Sequence, residues 1–446
     1  MSAAMKERLI LEASMLSSKQ HMASLIIDEA SIKPKCLYDR KADTIFGFKD
    51  RPNDGAPCSA DGTLANRVLW FVLQGVTSTY RIPCSYYFTK QLSGRDLFAW
   101  VKEVIASVEL CGFVVVRIVT DNYSANKTMF KLLGNGCFST AVSHPLDNGI
   151  VIFLSFDPCH ILKNIRSQFL ERTLTDGSGT ITGTFVQQLY EFQKHKTVKL
   201  ARNLTRKHVY PSNMEKMNVL RAVQVFSPEV IAALQHLQAN FRSDPAARTF
   251  KEAGPTIDFM KKIKQWFDIH DTTYSGSDCK TPISQQDDYR LLWLENDFVN
   301  FMKNVQQRSL ASGGDAFTDE TFHALLFTKK STVQTTRYLL SRGVRYVLTR
   351  KFNSDPIEAV FGRLRSICGG NDALDARAVT TALDHIVKES GLSMQLHAPD
   401  VDDAEKMAAH VPQKVLDQLN CLKEQQSNIS PSVTYSGLAY TLVATS

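Results

Sequence analysis

The chain has no apolar run long enough to cross a membrane, and its start lacks the short apolar core of a secretion signal. A membrane partner is therefore not expected. Its nine cysteines, at 36, 58, 84, 111, 137, 159, 279, 368 and 421, include no C-x-x-C pair and no clustered Cys/His spacing. That scatter argues against a structural zinc site and a disulfide framework, and reduced thiols of the cytosol or nucleus fit best. No GxxxxGK(S/T) is present, so no phosphate-cradling loop of that kind is legible. Sustained heptads are missing too.

What is present is an ordinary globular composition, 43% hydrophobic and 22% charged, in 446 residues, enough for two or three domains. The net charge is only +7, but between Asp157 and Arg221 eleven Lys/Arg face five Asp/Glu, so +6 of it lies in one segment. That segment is either a solvated basic face or a phosphate-binding one.

In chain order, residues 5–16 have amphipathic helical spacing. An apolar strand over 24–29 reaches Asp28, 67–77 and 80–88 read as two more strands, and 95–108 reads as a helix. Val114, Val115, Val116, Ile118 and Val119 form a β-branched run, the mark of a strand buried on both faces. It stops at Thr120, Asp121 and Asn122, before a helix over 124–133. A strand over 149–155 leads into Asp157 and Pro158, a cap and a first-turn proline. The order β-β-β-α-β-α-β-α predicts a mixed sheet in an α/β fold. It is the order of an RNase H-like core, in which the first and fourth strands are neighbours and Asp28 and Asp121 face one metal-binding crevice.

From about 173 to 345 strand patterns largely vanish. Helical spacing covers 185–200, 216–226, 228–239, 256–269 and 288–307, with loops at 270–285 and 312–315. The expected organisation is a helical lead (1–20), the first part of the core (21–172), a mainly α-helical insertion (173–345), the last part of the core (346–395) and a tail (396–446). Near residue 355, Asp355 reads as an N-cap, Pro356 as the first helical residue and Glu358 as the N3 partner of a capping box. The same spacing sets both carboxylates on one face of the helix start. Asp121 reads as an acid at the carboxyl end of a buried strand, where α/β sheets place ligands, or else Asp121 or Asn122 only caps the helix. His160 reads as a metal ligand or a proton shuttle, as a group orienting a neighbouring carboxylate, or as part of the cap of its helix with Asp157; the preference of Mg²⁺ for oxygen donors favours the structural role.

Five blocks stand in order: IIDEASIKPKCLYDRKADTIFGF, VTDNYSANKTMF, FDPCHILKNIR, LTRKHVYPSNMEKMNVLRAVQVFS and KFNSDPIEAVFGRLRSICGGND. Together they resemble the P-element transposase family, with its THAP-domain-bearing relatives, over roughly residues 24–390. The resemblance implies a DDE-type phosphoryl-transfer enzyme whose RNase H-like core is interrupted by a helical GTP-binding insertion. By motif, Asp28, Asp121 and Glu358 are the catalytic acids and the ligands of two Mg²⁺ ions about 4 Å apart, with Asp28 bridging both. Three crowded carboxylates without a cation are expected to have raised pKa values. The nucleophile is water for cleavage and a DNA 3′-hydroxyl for strand transfer.

The resemblance further implies GTP as a non-hydrolysed assembly cofactor. Its expected contacts are Lys207, Lys216, Asn218, Val219, Phe267, Asp268 and Asp355, with the lysines on phosphates, Phe267 stacked on the base and Asp268 on the guanine N1–H and N2–H₂ edge. Phe267 is equally a core residue of its helix. Lys163 and Arg166 are expected on the DNA backbone. The implied partners are DNA (transposon ends and target) and further copies of the chain, and the implied compartment is the nucleus. Asp271 stands where the family tends to carry Asn, which puts a negative charge near the expected triphosphate. The family's usual opening, a zinc-binding THAP domain and a coiled coil, is not found in this sequence, so specific reading of transposon ends is not expected of it. The alternative to a competent catalytic core is a truncated or domesticated remnant that binds DNA or sibling subunits without cutting. A guanine-nucleotide-binding protein on a nuclease scaffold comes third, because no P-loop is present.

Overall fold

A computed structural model describes residues 1–40, 43–52, 62–147, 149–370 and 374–396, with side chains as far as 387. Most of the expected loop at 50–63, and the tail beyond 396, lie outside the described residues. α1 (Ala3–Ser14) leads into β1 (Met22–Ser31). A small hairpin, β2 (Leu37–Asp39) with β3 (Thr44–Phe46), precedes β4 (Arg67–Gly75) and β5 (Arg81–Thr89). Then come α2 (Gly94–Leu110), β6 (Val114–Thr120), α3 (Ser124–Leu133), β7 (Ala141–Ser143), β8 (Val151–Phe156) and α4 (Pro158–Glu171). Six strands form one mixed sheet in the order β5-β4-β1-β6-β8-β7. β1, β6 and β8 run parallel; β4, β5 and β7 pair antiparallel to their neighbours. The first and fourth of the strands expected from the sequence are therefore adjacent, and this is a mixed-sheet RNase H-like core.

The insertion opens with a hairpin, β9 (Thr173–Thr175) and β10 (Thr180–Thr182), too short for a strand period to show. Helices follow: α5 (Thr184–Gln193), α6 (Arg206–Val209), α7 (Asn213–Lys216), α8 (Val219–Val225), α9 (Pro228–Ala239) and α10 (Gly254–His270). α11 (Tyr289–Trp293) passes through a π-helical turn, Leu294–Phe298, into α12 (Val299–Ala311). The helix expected over 185–200 stops at Gln193, because beyond it Val198 and Leu200 are exposed and offer no face to bury. The one expected over 216–226 is broken at Asn218, whose side chain caps α8.

The longest helix of the insertion, α13 (Asp319–Ser341), gave no amphipathic signal. Its buried face is largely hydroxylic: Thr328, Ser331, Thr332, Thr335 and Thr336 are all fully buried, so the 3.6-residue period is not carried by apolar residues. Across from it, the buried Arg117 of β6 donates to Ser331 Oγ at 3.1 Å and Thr335 Oγ1 at 2.6 Å. The chain returns to the sheet as α14 (Asp355–Ile367) and α15 (Ala376–Leu396). Ile357 and Leu364 of α14, one heptad apart, pack with Ile26, Val68, Trp70 and Val119 of the sheet. That apolar seam sets the height and rotation of α14 over β1 and β4.

Candidate active site

β1 and β6 stop pairing at Ile26 and Val119, whereas β1 runs on to Ser31 bonded only to β4, with Asp28 opposite Trp70. Asp28 is thus two residues past the last β1–β6 pair, on a strand open along one edge; it is not at the strand's end, as its sequence suggested. Asp121 is the first residue after β6. The two carboxylates flank this opening, near enough for the charge of Asp121 to act on Asp28. The Asp28 pKa is pushed up to about 6, mainly by burial and further by the charges of Asp121 and Asp157, while His160 and the Glu29 N–H, 2.8 Å away, pull it down.

Asp121 does not cap α3: Tyr123 is the N-cap and makes no side-chain bond. Instead Asp121 Oδ1 accepts from the Tyr123 N–H at 3.0 Å and from Asn126 Nδ2 at 2.5 Å, and Oδ2 has no hydrogen-bond partner among the described residues. The bond to the Tyr123 N–H, two residues on, is an Asx turn, and the Asn126 amide adds a second, side-chain bond. Asp157, 1% exposed, is committed on both sides. Its Oδ2 caps α4 through the His160 N–H at 2.9 Å, and its Oδ1 accepts the Ser354 N–H at 3.0 Å. The cap was legible; the bond to Ser354 had no signal in the sequence.

That bond changes the start of α14. Ser354, with backbone angles of −90° and 3°, is the N-cap, Asp355 is already helical, and the Ser354 side chain makes no capping bond; Asn353 Oδ1 accepts the Asp355 N–H at 3.2 Å instead. The Asp355–Glu358 capping box therefore does not form, because the turn begins one residue early where Ser354 is pinned. Asp355 lies 3.6 Å from the Arg350 guanidinium. Its pKa is raised, first by desolvation and then by Asp157 and Asp271, against Asn353 and Arg350. Glu358 is on the exposed flank of α14. Partial desolvation raises its pKa most; Asp157 and Asp355 add to this, and Lys163 and His160 oppose it. His160 and Asp157 are felt at both Asp28 and Glu358. Among the described residues, no three His, Cys, Asp or Glu side chains come close enough together to hold one metal ion.

The residues expected around a nucleotide fall into two groups. In the first, Lys216 pairs with Glu171 at 2.5 Å, Lys207 lies 3.9 Å from Glu215, and Asn218 caps the helix that Val219 begins. In the second, Phe267 is buried on α10 beside Trp266, and Asp268 takes an ion pair from Lys264. Asp271 binds Lys280 at 2.6 Å and leans on Arg350, which it shares with Asp355. The first group is tied to the far end of α4 through Glu171, while Asp355 and Asp271 are felt by Cys159 at its start, about 18 Å earlier along the helix axis.

Two family models match the chain, and together they cover more than half of it: a TNP-like, RNase H N-terminal domain over residues 2–134 and a TNP-like, GTP-binding insertion domain over residues 159–282. The chain belongs to the P-element transposase family. It is 22% identical over 367 residues to the Transposable element P transposase of Drosophila melanogaster, spanning 81% of this chain and 44% of that protein. It is 22% identical over 355 residues to the human DNA transposase THAP9, spanning 77% of this chain and 38% of that one. The chain thus spans less than half the length of these relatives. Its fold matches the Drosophila P element transposase strand transfer complex, with a TM-score of 0.69 and 21% identity, over 85% of this chain and 80% of that one.

For this member of the P-element family the surfaces of two basic residues need correction. Lys163 and Arg166, expected to reach a DNA backbone, are both buried. Arg166 donates to the Lys216 carbonyl at 2.8 Å, and burial lowers its pKa. Lys163 acts on Glu358. Both lie on the inward face of α4, which the count of basic residues did not distinguish from its outer face.

Proposed function

We propose that this chain is the catalytic core of a DNA transposase, a Mg²⁺-dependent polynucleotidyl transferase that cuts a strand and joins a 3′-hydroxyl to target DNA. The observation that carries this reading is the position of Asp28 and Asp121 on either side of the opening where β1 and β6 part, with Asp28 held at about 6. A carboxyl at that pKa, beside a second carboxylate with an oxygen that accepts no hydrogen bond among the described residues, is a site short of positive charge. The all-oxygen donor set of Asp28, Asp121 and Glu358 suits Mg²⁺. Asp28 and Asp121 would hold it from the sheet and Glu358 would serve from α14, although as the chain stands the three are not close enough together to share one ion. When bound, Mg²⁺ makes water or a 3′-hydroxyl a better nucleophile and neutralises charge on the leaving oxygen. The protein's own part is positional. Asn126 and the Tyr123 amide fix the Asp121 carboxylate, and Asp157 locks α4 to α14, which keeps Glu358 over the sheet. Lys163 and His160 favour the charged form of Glu358.

GTP is proposed as a cofactor that is bound and not hydrolysed. The match to a GTP-binding insertion domain supports it. Lys207 and Lys216 would exchange Glu215 and Glu171 for phosphates, and buried Phe267 would shape the base pocket from within. DNA at transposon ends and target, further copies of the chain, and a nuclear location complete the proposal. The test is Mg²⁺-dependent nicking and strand transfer on labelled DNA, with and without GTP. Activity that Asp121→Ala and Glu358→Ala both abolish supports the reading, and activity that survives both sinks it.

A further inference from the structure

We infer that a second nucleic-acid contact lies beneath the 348–356 segment, a phosphate pocket with a stacking rim that takes a single DNA strand. The choice of DNA rests on the transposase reading above; the pocket does not. It is a cleft of about 170 Å³ lined by Gln74, Arg81, Tyr274, Arg350, Lys351 and Asp355, among others. Gln74 pairs with Ser24 on β1, about 13 Å along that strand from Asp28, so this wall of the cleft lies away from the acidic opening.

Its charges do not balance. Arg350 is offset by Asp355 at 3.6 Å and Asp271 at 3.7 Å. Arg81 and Lys351 have no carboxylate within ion-pair distance among the described residues. Lys351 donates only to the Ser78 carbonyl, at 2.5 Å, and burial, with Arg81 beside it, lowers its pKa to about 8. Two neighbouring cations with no acid paired to either form a place for an anion. In the wall, Gln74 is 3% exposed and its Oε1 has no hydrogen-bond partner; as an acceptor it calls for an N–H or O–H donor, which a nucleotide base carries and a phosphate does not.

The rim says which anion. Tyr274 is 76% exposed and Tyr346 38%, with ring centroids 6.1 Å apart. A free phosphate would leave both rings unused. Exposed aromatics beside a cationic groove are what single strands bind, with the backbone on the cations and a base on a ring. The strand's phosphate would sit against Arg81 and Lys351 and its base against Tyr274. The opposite wall is Asp355, one helical turn before Glu358.

The experiment uses the full chain in EDTA and measures anisotropy of a labelled single-stranded oligonucleotide across a salt series. The Arg81→Gln, Lys351→Gln double variant is expected to bind about tenfold more weakly at low salt, with the salt slope shallower by about 0.7 for the phosphate lost. Tyr274→Ala is expected to lose about fivefold or more at an unchanged slope. Arg81→Lys should keep the wild-type slope. Because Arg81 is exposed on the surface, Arg81→Gln alone carries the test if the double variant does not fold. Unchanged affinity and slope in all of these would overturn the proposal. So would weakened binding of a guanine nucleotide with oligonucleotide binding intact, which would make the cleft a nucleotide site. No metal or cleavage is involved, so a failure of the catalytic reading, seen as nicking that survives Glu358→Ala, leaves this result readable.

Discussion

Asp157 accepts the backbone N–H of Ser354 at 3.0 Å, joining residues 197 positions apart, while its other oxygen caps α4. The chain leaves the sheet for the insertion at α4 and returns at α14, and one buried carboxylate holds both ends. Hydrogen bonds to a charged acceptor are worth about 1.5–3 kcal/mol each. Asp157→Ala should therefore destabilise the chain by roughly 3 kcal/mol or more and, by freeing α14, depress strand cleavage further than stability explains. Asp157→Asn keeps one acceptor and should cost less on both counts. Urea unfolding alongside a nicking assay checks the order.

The second prediction concerns pH. The folded-state pKa of Asp28, about 6, lies above its ordinary 3.8, so between these values the folded chain binds more protons than the unfolded chain. Stability without metal should fall as pH rises from about 4 to about 6 and then level off, by at most about 3 kcal/mol from this group. Asp50, also raised to about 6 by burial, acts over the same window. Asp28→Asn should remove its share of the slope, leaving the variant about 1–3 kcal/mol more stable than wild type at pH 7.5 in EDTA and little different near pH 4. The same variant should be inactive. Denaturant melts across this range decide the matter; a wild type without the fall would show that burial does not strain this carboxyl.

Phe267 separates packing from recognition. It is 6% exposed and lies beside Trp266 on α10. Phe267→Ala should cost about 3–5 kcal/mol, whereas Phe267→Leu should stay near 1.5. If the ring also borders a guanine, Phe267→Leu will weaken nucleotide binding well beyond its effect on stability. Thermal melts with and without GTP distinguish the two.

Arg166 tests the burial of the basic face of α4. With its guanidinium buried and given to the Lys216 carbonyl, Arg166→Met should leave the salt slope of DNA binding unchanged. It should instead loosen the 212–218 turn, which hydrogen exchange at Lys216 to Asn218 would register. A slope reduced by about one would return Arg166 to the DNA surface.

Much of the fold was legible because its signals are local. The β-branched run at 114–119, the Pro158 start of α4 and the α9 boundaries each depend on neighbours within a few residues, and the structure has them in place. The helix α13 was missed because its buried face is threonine and serine, matched to a buried arginine on another element rather than to an apolar surface.

By itself, the sequence determined the order of the main strands and helices of the core and its mixed sheet, since propensity, capping and strand burial act over short stretches of chain. Only the tertiary structure decided that Asp28 sits where β6 ends rather than where β1 does, that Asp157 clasps Ser354, that Lys163 and Arg166 face inward, and that Arg81 and Lys351 share a cleft in which neither is ion-paired among the described residues. Each of these depends on residues far away in the chain, because burial and charge pairing are set by distance in space, which spacing along the sequence does not record.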